Sequence, residues 1–255
     1  MSATPPPKLA LHGRTIVITR PVGTGASIAA RVRALGGEPM LLPGLSLRAE
    51  PGVRPALREA LKDDLLIFIS PAAVRFAARA EPLRTRATVC AVGQGTARVL
   101  QRHRIEAIAP DQQQDSEGLL AHAQLKDLQG KRVALIGAPG GRGVLREQLA
   151  KRGAKLRELH VYRRAAPRLS RRHIDAVLAL PSSAMVLLSS AEALANLHEQ
   201  LPGDAWKVLC KATAVVSSER LADAARKAGF KHIRMADSAF SDDMLHAAAG
   251  TFTKA

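Results

Sequence analysis

The chain has 255 residues, of which 47% are apolar and only 3% aromatic, with 38 Lys and Arg against 22 Asp and Glu. The apolar share excludes a disordered chain, and a formal charge of +16 favours anionic partners. So few aromatics for base stacking, and no evident DNA-reading unit, argue against nucleic acid as the partner.

Residues 1–12, "MSATPPPKLALH", carry three prolines and no long apolar stretch, so a flexible tail is expected there and not a signal peptide. No apolar run approaches the 18 or so residues of a membrane span. From Gly13 a unit follows that runs Gly, basic residue, apolar strand, glycine-containing turn, amphipathic helix, Gly, extended segment: "GRTIVITRPVGTGASIAARVRALGGEPMLL". The same order returns in "GKRVALIGAPGGRGVLREQLAKRGAKLREL", with Gly13 on Gly130 and Gly36 on Gly153 at an offset of 117. "LLIFISPAAVRFA" resembles "MVLLSSAEALANL", with Ser70 set on Ser189 at an offset of 119. "AVGQGTARVL" resembles "VVSSERLADA", and "DSEGLLAHA" resembles "FSDDMLHAA", both at 125. The chain is therefore two similar halves with small loop insertions between matched elements.

Each half alternates short apolar runs with helices of 3.6-residue period, which predicts an α/β fold with parallel sheets flanked by helices. Helix starts are expected at Ser70-Pro71, at Ser116 with Glu117, and at Ser241 with Asp242-Asp243; ends are expected at Gly36, Gly153 and Gly229. Cys90 and Cys210 sit in apolar runs without CxxC spacing and read as reduced core thiols of a cytoplasmic protein. The eight histidines make no metal-ligand spacing.

In such sheets ligands bind beyond the carboxyl ends of the strands. Those junctions read "TRPVGTG", "SPAAV", "GQGTA", "GAPGGRG", "SSAEA" and "SSERL", rich in donors and almost free of acids. They suit a ligand studded with carboxylates or phosphates. "GAPGGRG" is no nucleotide loop: Gly141 and Gly143 are followed by Arg146 where the dinucleotide fingerprint needs a third glycine, and Arg142 stands where a Walker lysine motif would need its second glycine. No Ser/His/Asp or Cys/His arrangement stands out. Arg20, Arg142, Ser218 and Arg220 are candidate substrate-binding residues on this reading alone. The only tyrosine, Tyr162 in "ELHVYRR", reads locally as a strand-end residue that packs its ring and wets its hydroxyl.

"VITRP", "FISPAAVRFA", "AVGQGTARVL", "DSEGLL", "VYRRAAP" and "SSERLADAARKAGF", in this order, resemble uroporphyrinogen-III synthases over essentially Gly13 to Ala249. The resemblance implies two similar α/β domains joined by two crossing extended segments. Domain one would hold residues 13–44 and 166–255, domain two residues 45–165, with linkers near 40–51 and 156–167. It implies a monomeric enzyme without cofactor or metal. Its substrate would be hydroxymethylbilane, an open-chain tetrapyrrole polycarboxylate that is cyclised with loss of water and inversion of the last pyrrole. Tyr162 would then help the departing hydroxyl at a cleft, since a neutral phenol can donate a hydrogen bond to a leaving oxygen. Ser70, Thr96 and Ser189 are carried over as substrate-binding positions. One junction departs: the family often has a Gly-Pro-Thr-Thr type sequence where this chain has "SSERL", so Ser218 stands for the glycine and Leu221 for the second threonine. A non-catalytic tetrapyrrole-binding or regulatory module on the same fold is the alternative.

Overall fold

A computed structural model describes residues 11–250 apart from 112, 114, 141 and 142. The candidate Arg142, and all of the expected tail but Leu11 and His12, lie outside the described residues. Two compact units emerge, one formed by the chain through Leu47 and again from Ala165, the other by Arg48–Arg164.

The first unit opens with β1 (Thr15–Ile18), α1 (Ala26–Ala34), β2 (Glu38–Leu41) and β3 (Ser46–Ala49), the last of which carries the chain into the second unit. The second unit continues with α2 (Arg54–Ala60), β4 (Leu65–Phe68), α3 (Pro71–Ala80), β5 (Thr88–Ala91), α4 (Gln94–Arg102) and α5 (Ser116–Leu120). A 3-10 turn (Ala123–Leu125), β6 (Arg132–Gly137), α6 (Gly143–Lys151), β7 (Lys155–His160) and β8 (Tyr162–Ala165) complete it. Back in the first unit follow α7 (Arg171–Leu178), β9 (Met185–Leu187), α8 (Ala191–Gln200), α9 (Gly203–Leu209), β10 (Thr213–Val216), α10 (Glu219–Lys227), β11 (His232–Met235) and α11 (Ser241–Ala249).

The first unit's sheet has the order β11-β10-β9-β1-β2 and the second's β5-β4-β6-β7, and every pairing in both is parallel. β3 and β8, which carry the two crossings of the chain, pair with each other. Helices flank both faces of the larger sheet. Val17, Val186 and Val216 point into a cluster with Leu194, Leu197, Trp206 and Phe230, while Ile16, Ile18, Leu187 and Val215 point into another with Ile28, Val32, Met244 and Leu245. Alternating side chains put successive residues on opposite faces, which is why the strands are apolar throughout. Each fully buried Val, Leu or Ile contributes about 1.5–3 kcal/mol. The burial of the thiols of Cys90 and Cys210 pushes their pKa values up to about 12 and about 11.

The repeat is visible in the backbone. Gly13 and Gly130 enter β1 and β6 with φ of +67° and +72°, and Gly36 and Gly153 close α1 and α6 with φ of +78° and +83°. These left-handed values are strained for any residue with a Cβ, so glycine recurs at the matched positions. One expectation needs correction, and two helix starts gain detail. Leu11, assigned to the loose tail, is fully buried and donates its backbone N–H to Leu35; an apolar side chain there closes the core under α1. α5 starts at Ser116 as expected, and the residue before it, Asp115, is the cap that accepts from the Gly118 N–H. At α11 the cap position is Phe240 with no side-chain bond, and Ser241 is likewise inside the helix. The acids after Ser241 serve other partners: Asp242 pairs with Arg31, and Asp243 accepts from the Ser238 hydroxyl.

Candidate functional site

Parallel strands leave their carboxyl ends, and the helix N-termini that follow, on one side of a sheet. In the second unit a cavity of about 640 Å³ opens there. Its wall includes Ile69 and Ser70 after β4, Val92 after β5, the Gly137–Gly140 turn after β6, and His160, Tyr162 and Arg164. A Cβ on Gly137 would lie 2.1 Å from the end of the Ile69 side chain, which would have to turn aside to admit it.

Ser70 is in extended conformation ahead of Pro71, so its Oγ can turn back and accept from the Ala73 N–H at 3.0 Å. The same Oγ lies 3.2 Å from the Tyr162 hydroxyl. The Tyr162 ring, 5% exposed, stacks on Phe76 with centroids 5.3 Å apart and planes 17° off parallel. One helix, α3, therefore holds the phenol at its oxygen and at its face. The two hydroxyls own two protons, and their mutual bond uses one of them whichever way it runs. One O–H of the pair remains to donate to a ligand. Around them stand Asp115, Arg146, Glu158, His160 and Arg164; Arg146 reaches Glu158 at 3.4 Å. This site offers a neutral donor beside charged groups.

The first unit has its own, smaller cavity of about 280 Å³ at the corresponding strand ends, walled by Ile18, Ile28, Leu187 and Met244 and by the polar Arg20, Thr24, Ser189 and Ser217. Arg20 is half-buried, and its only hydrogen bond among the described residues goes to the Ala239 carbonyl at 3.3 Å. Burial lowers its pKa, yet a guanidinium stays charged at neutral pH. Most of its five donors remain open for an anion. Ser189 is locked in place: its hydroxyl donates to the Thr19 carbonyl at 3.1 Å and its N–H donates to the buried Thr19 hydroxyl at 3.0 Å. The counterpart of Ser70 is in fact Ser190, which caps α8 by accepting from Ala193; the true offset between β4-α3 and β9-α8 is 120 residues. Two adjacent serines concealed that one-residue difference. Among the described residues no group of His, Cys, Asp and Glu could hold a metal ion, and no helix is long and apolar enough to cross a membrane.

The profile of the family described as uroporphyrinogen-III synthase HemD matches residues 26–246. The chain belongs to the uroporphyrinogen-III synthase family. It is 31% identical over 255 residues to the uroporphyrinogen-III synthase of Salmonella typhimurium, covering 91% of this chain and 99% of that one. With the Escherichia coli K12 enzyme the identity is 30% over 249 residues, with the same coverage of both chains. The fold agrees with solved structures too. The Helicobacter pylori uroporphyrinogen-III synthetase superposes with a TM-score of 0.62 at 16% identity over 94% of this chain and all of its own. A mutant Thermus thermophilus uroporphyrinogen III synthase gives 0.52 at 22% identity over 92% and 96%.

The remaining candidates, Thr96 from the likeness to the family and Ser218 and Arg220 from the residues alone, fall differently. Thr96 is 3% exposed in the first turn of α4 and does not line the cavity. Its match in the first unit is Leu221, also buried, so neither position of the repeat presents its side chain to a cavity. Ser218 caps α10 by accepting from the Leu221 N–H at 3.3 Å, and Arg220 is exposed; neither lines the smaller cavity, whereas Ser217 does. Phe76, Ser217, His160 and Arg164 escaped the sequence reading. Only His160 and Arg164, flanking Tyr162 at the end of a strand, carried a signal that could have found them.

Proposed function

We propose that this chain is a uroporphyrinogen-III synthase, a hydro-lyase that cyclises hydroxymethylbilane with loss of water and inversion of the last pyrrole. The single observation carrying the reading is the Tyr162–Ser70 hydroxyl pair, 3.2 Å apart on the wall of a large cavity. As the hydroxymethyl C–O bond breaks, the free O–H of this pair donates to the departing oxygen, which leaves as water once it is protonated. Around the second unit's cavity Arg146, Arg164 and the N–H groups at helix starts are donors for the substrate's carboxylates; the first unit's smaller cavity, taken by itself, offers Arg20 as an anion donor on a wall that Ser189 holds in shape. Because the bilane closes without inversion when left alone, the protein's task is to select one folded geometry, and its fixed side chains suit catalysis by positioning. We infer further that it acts as a monomer in the cytoplasm; the two free, buried thiols support that compartment.

The test is a coupled assay with purified protein and freshly made hydroxymethylbilane, resolving the III isomer from the I isomer. Enzymatic formation of the III isomer is expected. Tight binding of the tetrapyrrole with only the I isomer formed would overturn the proposal in favour of a binding module.

A further inference from the structure

The stack of Phe76 on Tyr162 has no counterpart in the other half of the molecule. At the repeat offsets of 120 and 117, Phe76 corresponds to Asn196 and Tyr162 to Leu45. Asn196 Nδ2 donates to the Gly44 carbonyl at 2.9 Å, so there the helix is tied to the strand exit by a hydrogen bond, and Leu45 is simply buried. The same topology thus closes without an aromatic pair. Both rings are present only in the half that carries the hydroxyl pair.

The geometry explains what the pair adds. A phenol oxygen lies at the far end of a rigid ring, so tilting the ring about the side-chain torsions swings the hydroxyl through an arc. The bond to Ser70 fixes the oxygen's distance from α3 but leaves the ring free to pivot about that contact. A second ring lying nearly parallel at 5.3 Å removes the pivot. Phe76 is itself held from the solvent side, with the Arg79 guanidinium 5.7 Å from its centroid. We propose that Phe76 is a positioning residue for Tyr162: it makes no contact with the reacting atoms but fixes the direction in which the phenol hydroxyl points. This rests on the leaving-group role of Tyr162 given above.

Because the chain has a single tyrosine, biosynthetic 3-fluorotyrosine puts one fluorine resonance in the whole protein, at the site in question. Phe76→Leu should move that resonance, as the neighbouring ring current is lost, while Phe76→Tyr should keep it close to its original position beside a second resonance from the tyrosine introduced. Phe76→Leu should lower kcat by about 2- to 12-fold, the size of an aromatic pair's contribution expressed as a rate, with KM little changed. Phe76→Tyr should restore the rate. The deciding measurement is the cycle with Tyr162→Phe: once the phenol hydroxyl is gone, Phe76→Leu should cost no further rate. Equal costs in both backgrounds would show Phe76 to be packing alone and overturn the proposal. An unmoved fluorine resonance in Phe76→Leu would do the same by showing that the stack is absent. If Phe76→Leu does not fold, Phe76→Met in the same cycle gives the answer. Wild-type turnover in Tyr162→Phe is a separate failure: it removes the leaving-group reading, and this proposal with it.

Discussion

Two hydroxyls and two rings meet at Tyr162, and each pair can be removed without the other. Tyr162→Phe deletes the oxygen but keeps the ring on Phe76. One neutral hydrogen bond made mainly in the transition state is worth about 1–3 kcal/mol, so turnover should fall roughly 5- to 150-fold while the melting temperature stays nearly constant. Tyr162→Ala should lose both, the stability by about 3–5 kcal/mol as for other large aromatics in a core. Steady-state kinetics with thermal unfolding on the two variants checks this. A packing tyrosine would show the second effect and not the first. At this scale the sequence was informative wherever a residue's partner is local. The Ser70 cap follows from serine before proline, and the left-handed glycines follow from their place after helical patterns. Partners distant in the chain were invisible: nothing in "SPAAVRFA" indicates that Phe76 meets a tyrosine from "HVYRR". The starts of α5 and α11 at Ser116 and Ser241 were legible, but the cap positions Asp115 and Phe240 were not: aspartate and serine cap about equally well, and which of two neighbours does so is set by where the loop delivers the backbone.

Among the elements, the repeat is the organising fact. The order β10-β9-β1-β2 in one sheet matches β5-β4-β6-β7 in the other, element for element. The sequence could show this because glycine turns and helix periods recur at nearly constant offsets. It could not show the fifth strand: β11 extends the first unit's sheet, whereas the second unit has only an isolated bridge from Ile108 to Cys90 at that place. Close packing between elements yields a sharp contrast. A Cβ on Gly44 would lie 2.5 Å from the Cβ and 2.8 Å from the carbonyl oxygen of Ala193 on α8, and backbone cannot move aside cheaply. Gly44→Ala should therefore destabilise the chain by about 1–3 kcal/mol. Gly203 opens α9 with nothing within 4 Å of its would-be Cβ. Gly203→Ala should stabilise by about 0.4–1 kcal/mol through the unfolded chain's lost freedom. Urea midpoints for both variants should move in opposite directions.

For the whole molecule, charge sets the response to solvent. The +16 balance should make affinity for a tetrapyrrole polycarboxylate fall with salt, over a screening length of about 8–10 Å; a flat titration across a salt series would contradict it. Several acids are paired: hydrogen bonds from Lys62, Arg132, Arg54 and Lys151 hold Glu59, Asp64, Glu81 and Glu147 below the usual carboxylate range. Each binds its proton less readily folded than unfolded. Their stabilising effect is therefore present above about pH 4 and is lost as pH falls through the lowered folded values. Urea midpoints should drop between pH 5 and 3, and added salt should flatten the drop, because the cation of each pair is exposed. Finally, β1 lies inside its sheet, bonded on one side to β2 and on the other to β9, which begins at Met185, after all of Arg48–Arg164. A ribosome adding about 5–20 residues per second leaves the interval from Ile16 to Met185 open for roughly 8–34 s. During synthesis the inserted unit can close while the earlier-made β1 still waits for its neighbour. Nascent chains halted near residue 205, with the second unit outside the ribosome and β9 still within its exit tunnel, should resist a protease pulse across 48–164 and be cut between 13 and 47; protection of that first segment would contradict this. The earlier-made β1 segment waits through the synthesis of a whole unit for its second neighbour, so in the cell it is the one most in need of a chaperone.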